Sequence, residues 1–135
     1  MAANWIKASL RITSDTLSPD DIESTLNRRP DKRYSKGEPV SPRQDGPLRK
    51  QNICIYESKP EDNLLFDAHL EYLMTLVESH LGDLKNLENS CSFEIIFGCS
   101  SDNGQLGLVM THEKVKRIAA SPIDIVLDIY AGSND

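Results

Sequence analysis

The stretch Phe97-Gly98-Cys99-Ser100-Ser101-Asp102-Asn103-Gly104-Gln105-Leu106-Gly107 places a thiol, two hydroxyls, a carboxylate and three glycines within eleven residues. Three readings compete for it: a glycine-rich anion cradle, a nucleophile loop around Cys99, and the bend of a β-hairpin. Asn103-Gly104 favours the bend, because both residues tolerate the positive φ that a type I′ turn requires. Its flanks agree. Phe93, Ile95, Phe97 and Cys99 alternate with Ser92, Glu94 and Gly98, and Leu106, Leu108 and Met110 continue the period of two beyond the turn. The expectation is a pair of strands joined at an exposed tip, with Cys99 the last inward residue and Asp102 on the polar approach.

Outward from the bend the same periodicity recurs. Ile6, Ala8, Leu10 and Ile12 alternate with Lys7, Ser9 and Arg11, which predicts a half-buried strand. Ser18 as N-cap, Pro19 at the first helical position and acids in the first turn then predict a short helix ending near Arg28. Residues 30–50 hold four of the seven prolines and two of the seven glycines and read as a long basic loop, with room for short extended pieces. Asn52 to Glu57 reads as a strand. Pro60-Glu61-Asp62 opens the longest helix, whose stripe is Phe66, Leu70, Leu73, Val77, Leu81 and Leu84, with Gly82 as a kink or stop. Thr111 caps a third helix with Val115, Ile118 and Ala119 on its apolar side, and Ile123 to Tyr130 forms a last alternating strand. The predicted order is β-α-(loop)-β-α-β-β-α-β in one α+β domain over 1–135, a two-layer sandwich with a mostly antiparallel sheet and helices on one face.

The chain has 135 residues, 39% hydrophobic and 27% charged, with a net charge of −6. That charge is uneven. Residues 28–50 carry eight bases and three acids, a balance of +5, and the remaining seven bases and eighteen acids leave −11 elsewhere. A net negative chain argues against nucleic-acid binding, since phosphate neutralisation needs clustered cations. The loop lacks the GxxxxGK[ST] arrangement, and its aromatic content is Tyr34 alone. No apolar run approaches a membrane span, and the N-terminus lacks a basic flank with an apolar run behind it, so the expectation is a cytoplasmic protein with no membrane partner. Cys54, Cys91 and Cys99 have no CxxC spacing and read as reduced, structural thiols. His69 and His80, eleven apart, do not share the i, i+4 face of a metal pair. No cofactor or metal is expected.

Several elements together resemble a known family. They are the opening SLRI leading into SPDDIESTL, then RYSKGEP, the helix AHLEYLMTLVESHL, the stretch FGCSSDNGQLGLVMTHEKV and the closing LDIY. Their order and spacing is similar to the bacterial domain-of-unknown-function family 4279 over nearly the whole chain. One departure is that members often carry a tryptophan in the strand after the basic loop, where this chain has Ile53, Cys54, Ile55 and Tyr56. The resemblance implies the same fold and a bacterial origin, and it brings no reaction.

Cys99 as a nucleophile would need His112 or Asp102 as helper and a lowered thiol pKa; its place in the inward set Phe93, Ile95, Phe97 favours the core instead. Lys7, Ser9 and Arg11 from the first strand share one face with Asp124, Asp128 and Tyr130 from the last, and Arg11 and Asp128 can pair if those strands are neighbours. Acids along the long helix, among them Glu71 and Glu78, form another candidate surface. The partner-binding candidates are therefore Arg11, Asp128, Tyr130, Glu71, Glu78 and Asp102. Resemblance and charge together imply a non-enzymatic immunity protein that neutralises a cognate bacterial toxin domain. The alternative is a small-molecule-binding or self-associating domain that uses the open sheet face.

Overall fold

A computed structural model of the chain describes residues 5–59, 64–101 and 108–131. The elements are β1 (Trp5–Ser14), α1 (Pro19–Leu26), β2 (Lys32–Tyr34), β3 (Asn52–Glu57), α2 (Phe66–Ser79), α3 (Leu81–Leu87), β4 (Ser92–Ser101), α4 (His112–Ala119) and β5 (Asp124–Ala131). The five strands form one sheet in the order β2-β3-β1-β4-β5. Every pairing is antiparallel except that of β4 with β5. This is the expected α+β sandwich.

Alternation sorts each strand into two faces. Ala8, Leu10 and Ile12 of β1 stand in register with Phe97, Ile95 and Phe93 of β4, and all are buried under the helices with Ile22, Leu73 and Val77. The period of two decides this, because a one-residue slip would turn every apolar side chain of β1 to the other face. Phe97 is the largest fully buried side chain among the described residues, its ring 4.4 Å from that of Phe66.

Local signals place the helices. Ser18 and Asp21 form a reciprocal capping box at α1, with Pro19 in the first turn, and Asn27 ends the helix in the left-handed region at φ 51°. The turn from β1 into α1 is tied by buried Ser14, whose Oγ accepts from the N–H groups of Thr16 and Leu17 and donates to Ser90 O. Pro60, Glu61 and Asp62, expected to open the long helix, lie outside the described residues. The expected break at Gly82 falls at His80, where backbone φ −121° and ψ 21° separate α2 from α3. His80 is half-buried, and its Nδ1 sits 2.9 Å from Leu76 O.

The hairpin expectation is corrected. Leu108, Val109 and Met110 form no strand, and the outer neighbour of β4 is β5, running parallel to it. A parallel neighbour needs a crossover connection, and α4 supplies one between the two strands. Thr111 caps α4 as expected, its Oγ1 accepting from Lys114 N–H at 3.2 Å. Asn103-Gly104 and Asp102 lie outside the described residues, as does the tip they were expected to form.

The basic loop is folded on itself. Gly37 N–H donates to Arg49 O, Arg49 N–H to Glu38 O, and Val40 N–H to Pro47 O. Gly37 sits at φ 92°, a conformation that an L side chain resists. Short β2 runs through the start of this segment, one of the extended pieces the loop was expected to hold.

Candidate functional site

No helix covers the second face of the sheet among the described residues. Its register can be followed row by row. Lys32, Ile55, Arg11, Glu94 and Asp124 cross all five strands in one row. Ser9, Ile96 and Val126 form the next row, Lys7, Gly98 and Asp128 the third, and Trp5, Ser100 and Tyr130 the fourth. Arg11, Asp128 and Tyr130 therefore share this face as expected, but β4 separates the strands of Arg11 and Asp128, so they are not cross-strand neighbours.

Charge on this face is segregated. Lys7, Arg11 and Lys32 lie on β1 and β2, with Glu57 of β3 beside Lys32 at 3.4 Å. Glu94, Asp124 and Asp128 lie on β4 and β5. Ile55 is buried although it points to the open side, because the long side chains of Lys32 and Arg11 flank it in the row. The buried Nε of Arg11 has no hydrogen-bond partner among the described residues.

Trp5 and Tyr130 end the face as a tilted ring pair with centroids 5.6 Å apart. Gly98 lies beneath them: a Cβ there would meet the Trp5 ring at 3.5 Å, so its small size leaves the indole resting on the strand. Lys7 Nζ is 5.9 Å from the indole centre, and the Tyr130 hydroxyl donates to Asp128 at 2.9 Å. Two contiguous grooves follow this end of the sheet, about 470 Å³ and 290 Å³, both lined by Trp5, Lys7, Lys32 and Glu57. Ser58 and His69 close the deeper one from within, Ser58 Oγ lying 2.8 Å from His69 Nδ1. Trp5 escaped the sequence reading because it precedes the first alternating apolar residue; extending the period back by one step from Lys7 would have placed it on the open face.

The helix acids have a different use. Arg117 of α4 donates to both oxygens of Glu71 at 2.7 and 2.9 Å and to both of Glu78 at 2.6 and 2.8 Å, and Lys114 pairs with Asp67. Glu71 and Glu78 are thus committed to holding α4 on α2, and neither faces the open sheet. These contacts matter because α4 buries no residue: Val115, expected on its apolar side, is half-exposed. The Arg117 guanidinium holds both carboxyls below their ordinary 4.5. A depressed carboxyl contributes stability above its unfolded pKa and loses it as pH falls through the folded value. Exposure limits the contribution to about 1 kcal/mol. Lowering pH from 7 to about 3 is therefore expected to loosen α4 selectively. Hydrogen exchange corrected for intrinsic rates checks this; unchanged α4 protection would refute it.

Cys99 is buried beside Ile6, in a small cluster apart from the main core, while His112 is exposed at the first position of α4. Burial raises the pKa of all three thiols, that of Cys54 to about 11, the opposite of nucleophile activation. The native chain is expected to alkylate slowly at pH 8, Cys54 last, and all three thiols to react after denaturation. Mass spectrometry of time points reads this directly, and rapid modification of Cys99 in the native chain would contradict it. Among the described residues no group of three or more His, Cys, Asp or Glu side chains is placed to hold a metal ion, and no helix is long and apolar enough to cross a membrane.

The basic segment spends much of its charge internally. Arg33 bridges Asp20 and Glu23 of α1, Lys32 meets Glu57, and Arg49 stacks over the Tyr34 ring at 3.6 Å. Residues 4–132 match the family model described as Domain of unknown function (DUF4279). Neither a curated protein nor a solved structure matches the chain.

Proposed function

We propose, for a chain that belongs to the DUF4279 family of domains of unknown function, a non-enzymatic protein-binding role in which a partner covers the open face of the sheet. The observation that carries it is the tilted Trp5–Tyr130 pair beside Lys7 and Asp128, with Arg11 further along β1, on a face that no helix covers among the described residues. Trp, Tyr and Arg are the side chains that dominate binding hot spots, because they offer large contact area at low entropy cost or several donors at once.

The finer reading is an immunity protein that neutralises a toxin domain. Its support is the acidic balance outside the basic segment together with Glu94, Asp124 and Asp128 on β4 and β5, which would steer a basic partner surface to this face. The test is co-purification with, and inhibition of, a toxin domain encoded by a neighbouring gene. A gene neighbourhood without such a toxin, or a toxin whose activity the purified chain leaves intact, overturns the immunity reading.

A further inference from the structure

We infer that the open face is self-complementary and that the first occupant it meets is a second copy of this chain. The inference rests on the proposed reading of this face as an interaction surface. The half formed by β2, β3 and β1 carries Lys7, Arg11 and Lys32 against the single acid Glu57, and the half formed by β4 and β5 carries Glu94, Asp124 and Asp128, so the face is an electric dipole directed across the strands. A two-fold axis running along the strands near β1 and β4 lays the cationic half of each copy over the acidic half of the other. Arg11 then lands on Glu94 of the second copy, and Lys7, landing over Gly98, extends to its row neighbour Asp128, each contact occurring twice by symmetry. An axis across the strands would instead stack like charge on like charge, so the dipole selects one orientation.

One further feature agrees. Ile96 and Val126, at the β4–β5 end of the row they share with Glu57 and Ser9, form an apolar patch between the two charged rows, near the centre of the interface. A heterologous partner using this face would have to displace the second copy.

The test uses single charge reversals at exposed positions, Lys7→Glu and Asp128→Lys, in the full chain. Sedimentation velocity of the wild type at about 100 μM, above the micromolar ceiling of standard interfaces, is expected to show a dimer. Each variant alone is expected to dissociate about 100-fold more readily, since like charges then face each other. Their equimolar mixture is expected to recover the dimer, because Glu at position 7 meets Lys at position 128 across the axis. Misfolding cannot produce that recovery. A monomeric wild type, a dimer unaffected by either reversal, or a mixture of folded variants that stays monomeric each overturns the inference. A monomeric wild type that still binds and inhibits a toxin domain removes the dimer alone. A confirmed dimer with no effect on any toxin domain removes the immunity reading and leaves the dimer standing.

Discussion

Phe97→Ala is expected to destabilise the fold by about 3–5 kcal/mol, the range for truncating a large aromatic in a packed core. Phe97 is 1% exposed, stands between Ala8 of β1 and Leu127 of β5, and packs its ring on Phe66 of α2. Removing it opens a cavity where the sheet meets the long helix, and the flanking strands cannot close it without breaking register. Phe97→Leu keeps most of the volume and is expected to cost less than half as much. Urea unfolding followed by far-UV circular dichroism gives both values. A loss under 1 kcal/mol for Phe97→Ala would mean that the β4–α2 contact is not the centre of the core.

Trp5→Ala is expected to behave in the opposite way. The indole is 37% exposed and contacts Tyr130, Lys7 and Gly98 on the open face, so folding stability is expected to change by about 1 kcal/mol or less. Partner binding is expected to weaken by about 2 kcal/mol or more, roughly 30-fold, as for an aromatic hot-spot residue. Calorimetric titration of the partner into both chains, with matched urea unfolding curves, separates the two effects. A variant that binds as tightly as wild type would take the ring pair out of the interface.

The legible part of the fold was the part written in local signals. Alternation at Ile6–Ile12 and Phe93–Cys99 and the caps at Ser18 and Thr111 each depend on residues within one turn or one strand. The misread part was a long-range pairing. Asn103-Gly104 is a strong hairpin signal, yet Leu108–Met110 form no strand and β4 pairs with β5, because α4 supplies the crossover that brings the longer Ile123–Tyr130 run alongside. Strand order is set by which apolar faces meet under the helices, and no spacing along the chain records it.

The candidate site was half legible for the same reason. Arg11, Asp128 and Tyr130 could be placed on one face by parity, whereas Glu71 and Glu78 looked like free surface acids until Arg117, about forty residues later, was seen to bridge them. The segregation of cations from acids appears only once β4 is known to separate β1 from β5.

Trp5 is the single tryptophan of the chain, so its emission reports on the open face alone. Titrating wild-type protein, followed by Trp5 fluorescence, with either a second copy or a tryptophan-free toxin domain tests most directly whether this face is the interaction surface. A saturable blue shift, coincident with binding seen by calorimetry and lost in Lys7→Glu, is the predicted result. Emission that stays constant while calorimetry shows complete binding would place the contact elsewhere and contradict the account.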